Sequence, residues 1–287
     1  MIGLLHPGRM GSAVAARLVA AGYDVTWCPA GRSTDTRDRA DRAGLRPVTD
    51  LSALLARADT VISICPAAVA EDVAHTVSEH GYSGVYIDAN ATKPATMAAI
   101  EQRVSDGGAS AVVDAVISGS PPTDSTSPRI YLAGPSTPTA SAQELLSDSG
   151  LDARVLGERV GAASALKMAT ASYLRSARLL AAIAHGLADA HDVTDALVAE
   201  AEMLGADLLA DRSALPGVAA RGWRWTDELR DIADTLAEAG LPSVLAADSS
   251  VLYERFRSAK DQSTIGIDEV LKLIATSPDP GRPPTSA

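Results

Sequence analysis

The residues best suited to chemistry begin with the run His6, Pro7, Gly8, Arg9, Met10 and Gly11. It follows a short apolar run at 2–5 and opens a segment of helical composition at 12–21 that ends on Gly22. Glycines three apart at a strand-to-helix turn let backbone N–H groups approach a pyrophosphate, which then rests on the helix N-terminus. A full G-x-G-x-x-G loop carries one more glycine, and here His6 takes its place. The competing reading is an ordinary turn. The position of the loop at the start of a βαβ unit favours a cofactor.

A second candidate is Lys167, in an apolar helical stretch. Only Lys93, Lys167, Lys260 and Lys272 are lysines among the 25 basic residues, so a generic cation in this chain is arginine. A lysine in an apolar wall can have its pKa lowered by desolvation, which suits general acid/base work; an arginine stays protonated. The bland alternative is a lysine that snorkels to the surface.

The stretch 27–34 indicates which dinucleotide is held. It has no acid to hold the adenosine ribose of NAD before Asp35. Arg32, Ser33 and Thr34 instead suit a 2′-phosphate, with Gly31 beside them among the cofactor-binding residues, so NADP(H) is expected over NAD(H). Cys65 and Pro66 close an apolar run at 60–65 and are placed at the same edge, with Asn90 just beyond the run at 84–88. An Asx-turn is the plain alternative for Asn90.

These residues need a scaffold. Short apolar runs at 2–5, 24–28, 60–65, 84–88, 111–117 and 129–133 alternate with helical segments at 51–58, 69–80 and 94–105. That alternation predicts an α/β domain with a parallel, doubly wound sheet of Rossmann type. From about residue 161 no strand is evident. A long helix at 162–189 leads into amphipathic segments at 196–209, 227–239, 243–258 and 268–275. The expected organisation is a Rossmann domain at 1–160, an all-α domain at 161–276 joined by a long interdomain helix, and a Pro-rich disordered tail at 277–287. The long helix is too apolar to stand alone, which predicts a homodimer through the helical domain.

Composition narrows the classes. The 287 residues carry 36 acids against 25 Lys+Arg, a net charge of -11, with 3% aromatics. Such a chain is a poor nucleic-acid binder. Cys28 and Cys65 fit a reduced cytoplasmic protein, no run reaches the ~18 apolar residues of a membrane span, and no secretory signal is expected. No histidine has metal-ligand spacing. Arg212, Arg221, Arg224 and Arg230 surround Trp223 and Trp225, where an anionic substrate could be clamped.

Four segments together resemble the β-hydroxyacid dehydrogenase superfamily, which includes 6-phosphogluconate and 3-hydroxyisobutyrate dehydrogenases and, by architecture, imine reductases. They are 3–11, like G-x-I-G-x-G-x-M-G; 88–94, like D-x-S/N-x-x-x-P; 114–120, like D-A-P-V-S-G-G; and 157–167, like G-x-x-G-x-x-x-x-x-K with one extra residue. The helical half looks most like a phosphogluconate-dehydrogenase-like branch. The resemblance implies hydride transfer between a nicotinamide and a small hydroxy acid, alcohol or carbonyl partner. Lys167 would be the acid/base, and Ser118, Gly119 and Ser120 would bind the substrate carboxylate. The family's Asn one turn after the lysine is Ala171 here. Thr170 at +3, or Ser164 at -3, is expected to replace its hydrogen bond. The lysine argues against an imine reductase; a non-catalytic nucleotide-binding protein is the other alternative.

Overall fold

The structure, a computed structural model, describes residues 1–275. The tail expected at 277–287 lies outside the described residues.

Gly8 forms the N-cap of the first helix, and Gly11, Val14, Ala15 and Leu18 turn one face of it inward. That helix, α1 (Arg9–Ala20), follows β1 (Ile2–Leu5). Next come β2 (Val25–Trp27), α2 (Thr34–Arg42), β3 (Arg46–Pro47), α3 (Leu51–Leu55) and β4 (Thr60–Ser63). They are followed by α4 (Ala70–Glu79), β5 (Val85–Asp88), α5 (Pro94–Asp106) and β6 (Ala111–Ser118). β7 (Arg129–Ala133), α6 (Ser136–Asp148) and β8 (Asp152–Gly157) complete the sheet.

The strand order is β3-β2-β1-β4-β5-β6-β7-β8. Pairing is parallel from β3 to β6, and β8 is parallel to β7. β7 alone runs antiparallel to its neighbour β6, within the parallel sheet expected from sequence. The physical reason is the connection. No helix lies between β6 and β7, and a parallel return needs a crossover.

Each sheet face has its own core. One gathers Leu4, Leu18, Trp27, Ile87, Leu132 and Leu146, and the other Leu54, Val61, Tyr86, Met97, Ile100 and Val112. Burying one such leucine contributes about 2 kcal/mol.

The chain then enters α7 (Ala162–Ala190), a single helix of 29 residues. Two compact units divide within it, at Lys167/Met168. The second unit is helical, with α8 (Thr194–Met203), α9 (Asp207–Ala210), α10 (Leu215–Gly222), α11 (Trp225–Glu238), α12 (Val244–Glu254) and α13 (Ile267–Ala275). Its centre is aromatic: Trp225 meets Tyr253 edge-on at 5.3 Å, and Tyr253 meets Phe256 at 5.9 Å. Arg175 of α7 lies 4.4 Å over the Trp225 ring, donates through Nε to Glu228 at 2.8 Å, and accepts the Tyr253 hydroxyl on its carbonyl at 2.8 Å. Among the described residues no helix is long and apolar enough to cross a membrane.

Candidate cofactor and substrate site

In an open α/β sheet, ligands bind beyond the carboxyl ends of the strands where the strand order reverses. Here that point lies between β1 and β4. The first strand delivers residues 6–11 to it, and the fourth delivers Cys65 and Pro66.

The loop is tightly built. The carbonyl of His6 accepts from the Gly8 amide at 2.7 Å, and the Ser12 hydroxyl donates to the Gly8 carbonyl at 2.7 Å. A Cβ on Gly11 would stand 2.8 Å from the His6 oxygen, so only glycine lets the helix sit this close to the strand. A Cβ on Gly8 would meet nothing within 4 Å. That open side faces no protein atom, which fits the close approach of a pyrophosphate to amides that a helix start leaves without partners. Arg9 is exposed, Pro7 buried, and Met10 half-buried against the sheet core.

His6 holds φ +67, a left-handed conformation costly for a side chain and natural to the glycine it replaces. Its Nδ1 is buried without a partner, and burial, aided by Arg32, lowers its pKa to about 4. The ring is therefore neutral at physiological pH. Arg32 is exposed and follows Gly31, which turns at φ +69. Its charge also acts on Cys65, whose thiol burial pushes up to about 11, so it is no thiolate nucleophile. Ser33 caps α2 by accepting from the Thr36 amide at 3.3 Å. His6, Gly8, Arg32, Ser33 and Cys65 are thus collected along one edge of the sheet.

Two of the expected site residues are engaged by protein atoms. Asn90 is 2% exposed, and its amide is fully committed to protein. Its Oδ1 accepts from the Cys65 amide at 2.6 Å, while Nδ2 donates to Asp88 at 2.9 Å and to Ser63 at 3.2 Å. It ties the ends of β4 and β5 together and has no donor left for a ribose. Ser164 is 0% exposed, and its hydroxyl donates to Asp114 at 2.8 Å. It fixes the start of α7.

Asp114 itself, with Asp88, is the chemistry that motif reading passed over. Asp114 also accepts the Ser164 amide at 3.0 Å, so a strand carboxylate caps the long helix. Burial raises its pKa against the pull of those bonds. Asp88 is its register partner on β5. Burial raises Asp88 to about 7, opposed by the Asn90 bonds and assisted by Asp114. An acid inside an otherwise apolar strand is the signal that would have found both.

On the substrate side, Ser118 ends β6 half-buried, Gly119 turns at φ +127 against Pro128, and Ser120 is exposed. Lys167 is half-buried on α7, one turn after the anchored Ser164. Thr170 is exposed, whereas Ala171 is 3% exposed within the aromatic-centred core of the second unit. The arginine clamp around the tryptophans is largely neutralised. Arg212 pairs with Asp189 at 2.7 Å, Arg224 with Asp261 at 3.5 Å, and Arg230 with Asp227 at 2.6 Å. Among the described residues no group of His, Cys, Asp or Glu is placed to hold a metal.

Residues 1–157 match the NAD binding domain of 6-phosphogluconate dehydrogenase. The chain belongs to that family. Residues 188–256 match a domain family of unknown function. An uncharacterised 28.5 kDa protein of Methanothermus fervidus is 29% identical over 153 residues, which is 53% of this chain and 57% of that protein's own length. A conserved protein of unknown function, whose structure was reported as similar to 3-hydroxyacid dehydrogenases, superposes with a TM-score of 0.73 at 26% identity, covering 92% of this chain and 99% of that one. The fold is also that of Mycobacterium tuberculosis 3-hydroxyisobutyrate dehydrogenase with L-serine, at a TM-score of 0.71 and 18% identity, covering 96% and 98%.

The Asp88 carboxyl titrates near 7 when folded and near 3.8 when unfolded, so the native state retains a proton that the unfolded chain releases between those values. Stability from this group is full below the unfolded value and is lost as pH rises toward 7. Replacing Asp88 with Asn is expected to flatten that fall by a few degrees between pH 5 and 8, at roughly 2–4 °C per kcal/mol. Thermal melts across that range check it; parallel slopes for the two proteins would show that Asp88 is not the group responsible.

Proposed function

We propose that the protein is an NADP(H)-dependent oxidoreductase acting on a small, polar or anionic hydroxy acid or alcohol and its carbonyl partner. The observation that carries this reading is the open cradle at Gly8, set at the strand-order reversal, with Lys167 on a helix whose start is capped by Asp114. When bound, a nicotinamide dinucleotide supplies the hydride acceptor for oxidation or the donor for reduction.

The chain's own residues do the rest. The amides opening α1 and the surface of Gly8 receive the pyrophosphate. Arg32 and Ser33 receive the 2′-phosphate, Arg32 by a bidentate pair that NAD has no group to accept. Lys167 takes the proton from the substrate hydroxyl oxygen in oxidation and returns it to the carbonyl oxygen in reduction. Ser118 and Ser120, with the Gly119 amide, hold the substrate carboxylate, and Thr170 supplies the hydroxyl for which the buried Ala171 has no substitute.

A homodimer through the helical domain belongs to the same reading. Tyr173, Leu180 and Leu187 recur every seven residues along α7 and are 70%, 53% and 64% exposed, an apolar stripe that a second copy would cover. The cytoplasm is the expected compartment, in keeping with two free cysteines.

Three experiments bear on these roles. Lys167→Ala is expected to keep NADPH affinity within a few fold while turnover of keto acids or hydroxy acids falls by about 10²–10⁴, the range for a lost acid/base group. Near-normal turnover removes the proton-transfer role, and turnover of cyclic imines alone would move the protein to the other reaction class. Arg32→Ala should weaken NADP binding by at least tenfold more than NAD binding, read by cofactor fluorescence; equal losses remove the phosphate assignment. Light scattering is expected to give a dimer for the wild type and a monomer for Leu180→Arg with Leu187→Arg. A monomeric wild type refutes the interface.

A further inference from the structure

A groove of about 410 Å³ runs along the outer flank of α1 in the first unit. Arg9, Ser12 and Ala16 of α1 line one side, Arg39 and Arg42 of α2 the other, and Pro121 from the segment between β6 and β7 closes it. The spacing on α1 is that of one helix face, and the small side chains between the arginines leave room for a ligand. The third wall is held in place. Arg17 donates to the Thr123 carbonyl, and Thr123 and Thr126 exchange backbone bonds that close the turn beside Pro121.

The charge distribution is what singles the groove out. Three arginines line it, and none of its lining residues is acidic. Some arginines elsewhere in this acidic chain pair with carboxylates, as do Arg46, Arg154 and Arg212. Among the described residues Arg9, Arg39 and Arg42 form no ion pair, although Asp35, Asp38 and Asp41 are interleaved with them on α2. Arg39 instead donates to the Pro7 carbonyl at 3.5 Å and the Thr36 hydroxyl at 3.0 Å, and Arg42 donates through Nε to the Asp38 carbonyl at 3.0 Å. Those local bonds occupy part of each fork and leave N–H groups directed at no carboxylate.

We infer that this groove is a binding site for a small organic polyanion, carrying two or more carboxylate or phosphate groups, distinct from the dinucleotide site. Guanidinium forks match both oxyanions bidentately, and three of them around one groove favour a ligand with more than one such group. The volume lies within the usual range for small-molecule sites, roughly 300–1,000 Å³. The groove is not the pyrophosphate cradle. It extends from Arg9 to Ala16, about 10 Å along the helix flank at 1.5 Å per residue, whereas the cradle is the helix end itself.

Isothermal titration of the full chain with citrate and with inorganic phosphate, at low ionic strength and with or without saturating NADPH, tests this. The expected result is one site per chain for at least one probe, retained in the presence of NADPH. The tighter probe identifies the oxyanion that the groove prefers. Arg42→Gln should weaken that probe at least tenfold, and Arg39→Gln with Arg42→Gln should abolish its binding, while NADPH affinity in Arg42→Gln stays within twofold of wild type. No binding of either probe to the wild type, unchanged binding in the double variant, or displacement of the probe by NADPH would each overturn the proposal.

Discussion

One buried carboxylate carries much of this architecture. Asp114 stands at the register position beside Asp88, inside the sheet, and still accepts the amide and hydroxyl of Ser164. A buried acid is costly unless its oxygens are satisfied, and a helix start is costly unless its amides are. Each need meets the other here. The bond fixes where α7 begins, and with it the azimuth of Lys167 one turn later. The lysine's placement thus traces, through Ser164, to an acid fifty-three residues earlier in the chain.

A second buried network works on the adjacent strands. Asn90 joins Cys65, Ser63 and Asp88, so β4 and β5 end in a common polar knot rather than in free loops. Motif reading assigned Asn90 and Ser164 to ligands because polar residues beside an expected site invite that reading. Both are held by protein atoms. The donors of each side chain are already committed to protein atoms.

What the sequence disclosed follows from which signals are local. The phosphate loop, the strands β1, β2, β4, β5, β6 and β7 and the long helix were legible because apolar periodicity and glycine placement mark them, whereas β3 is two exposed residues with no such signal. α2 was not, since the residues of Thr34–Arg42 are polar nearly all round and only Ala40 is buried. α6 and β8 were missed for a related reason, their apolar residues being few and interrupted. The arginines near Trp223 looked like an anion clamp because sequence shows cations and not their partners; Asp189, Asp227 and Asp261 lie far enough away in sequence to escape notice for most of them. Conversely, the arginines of α1 and α2 drew no notice as a set, because two helices must pack side by side before they converge.

The reversal of β7 also affects how the sheet can assemble. Ser118 pairs with Arg129 across a short connection, whereas Ile2 pairs with Thr60 only after nearly sixty residues have been drawn together. Loop-closure entropy therefore favours early pairing at the β6–β7 end and disfavours it at the β1–β4 junction. The strands that flank the cofactor crevice are the ones whose contact costs most chain entropy. The reactive edge is in this sense the part of the sheet that local interactions do least to build, and it depends on the rest of the sheet to bring its strands together.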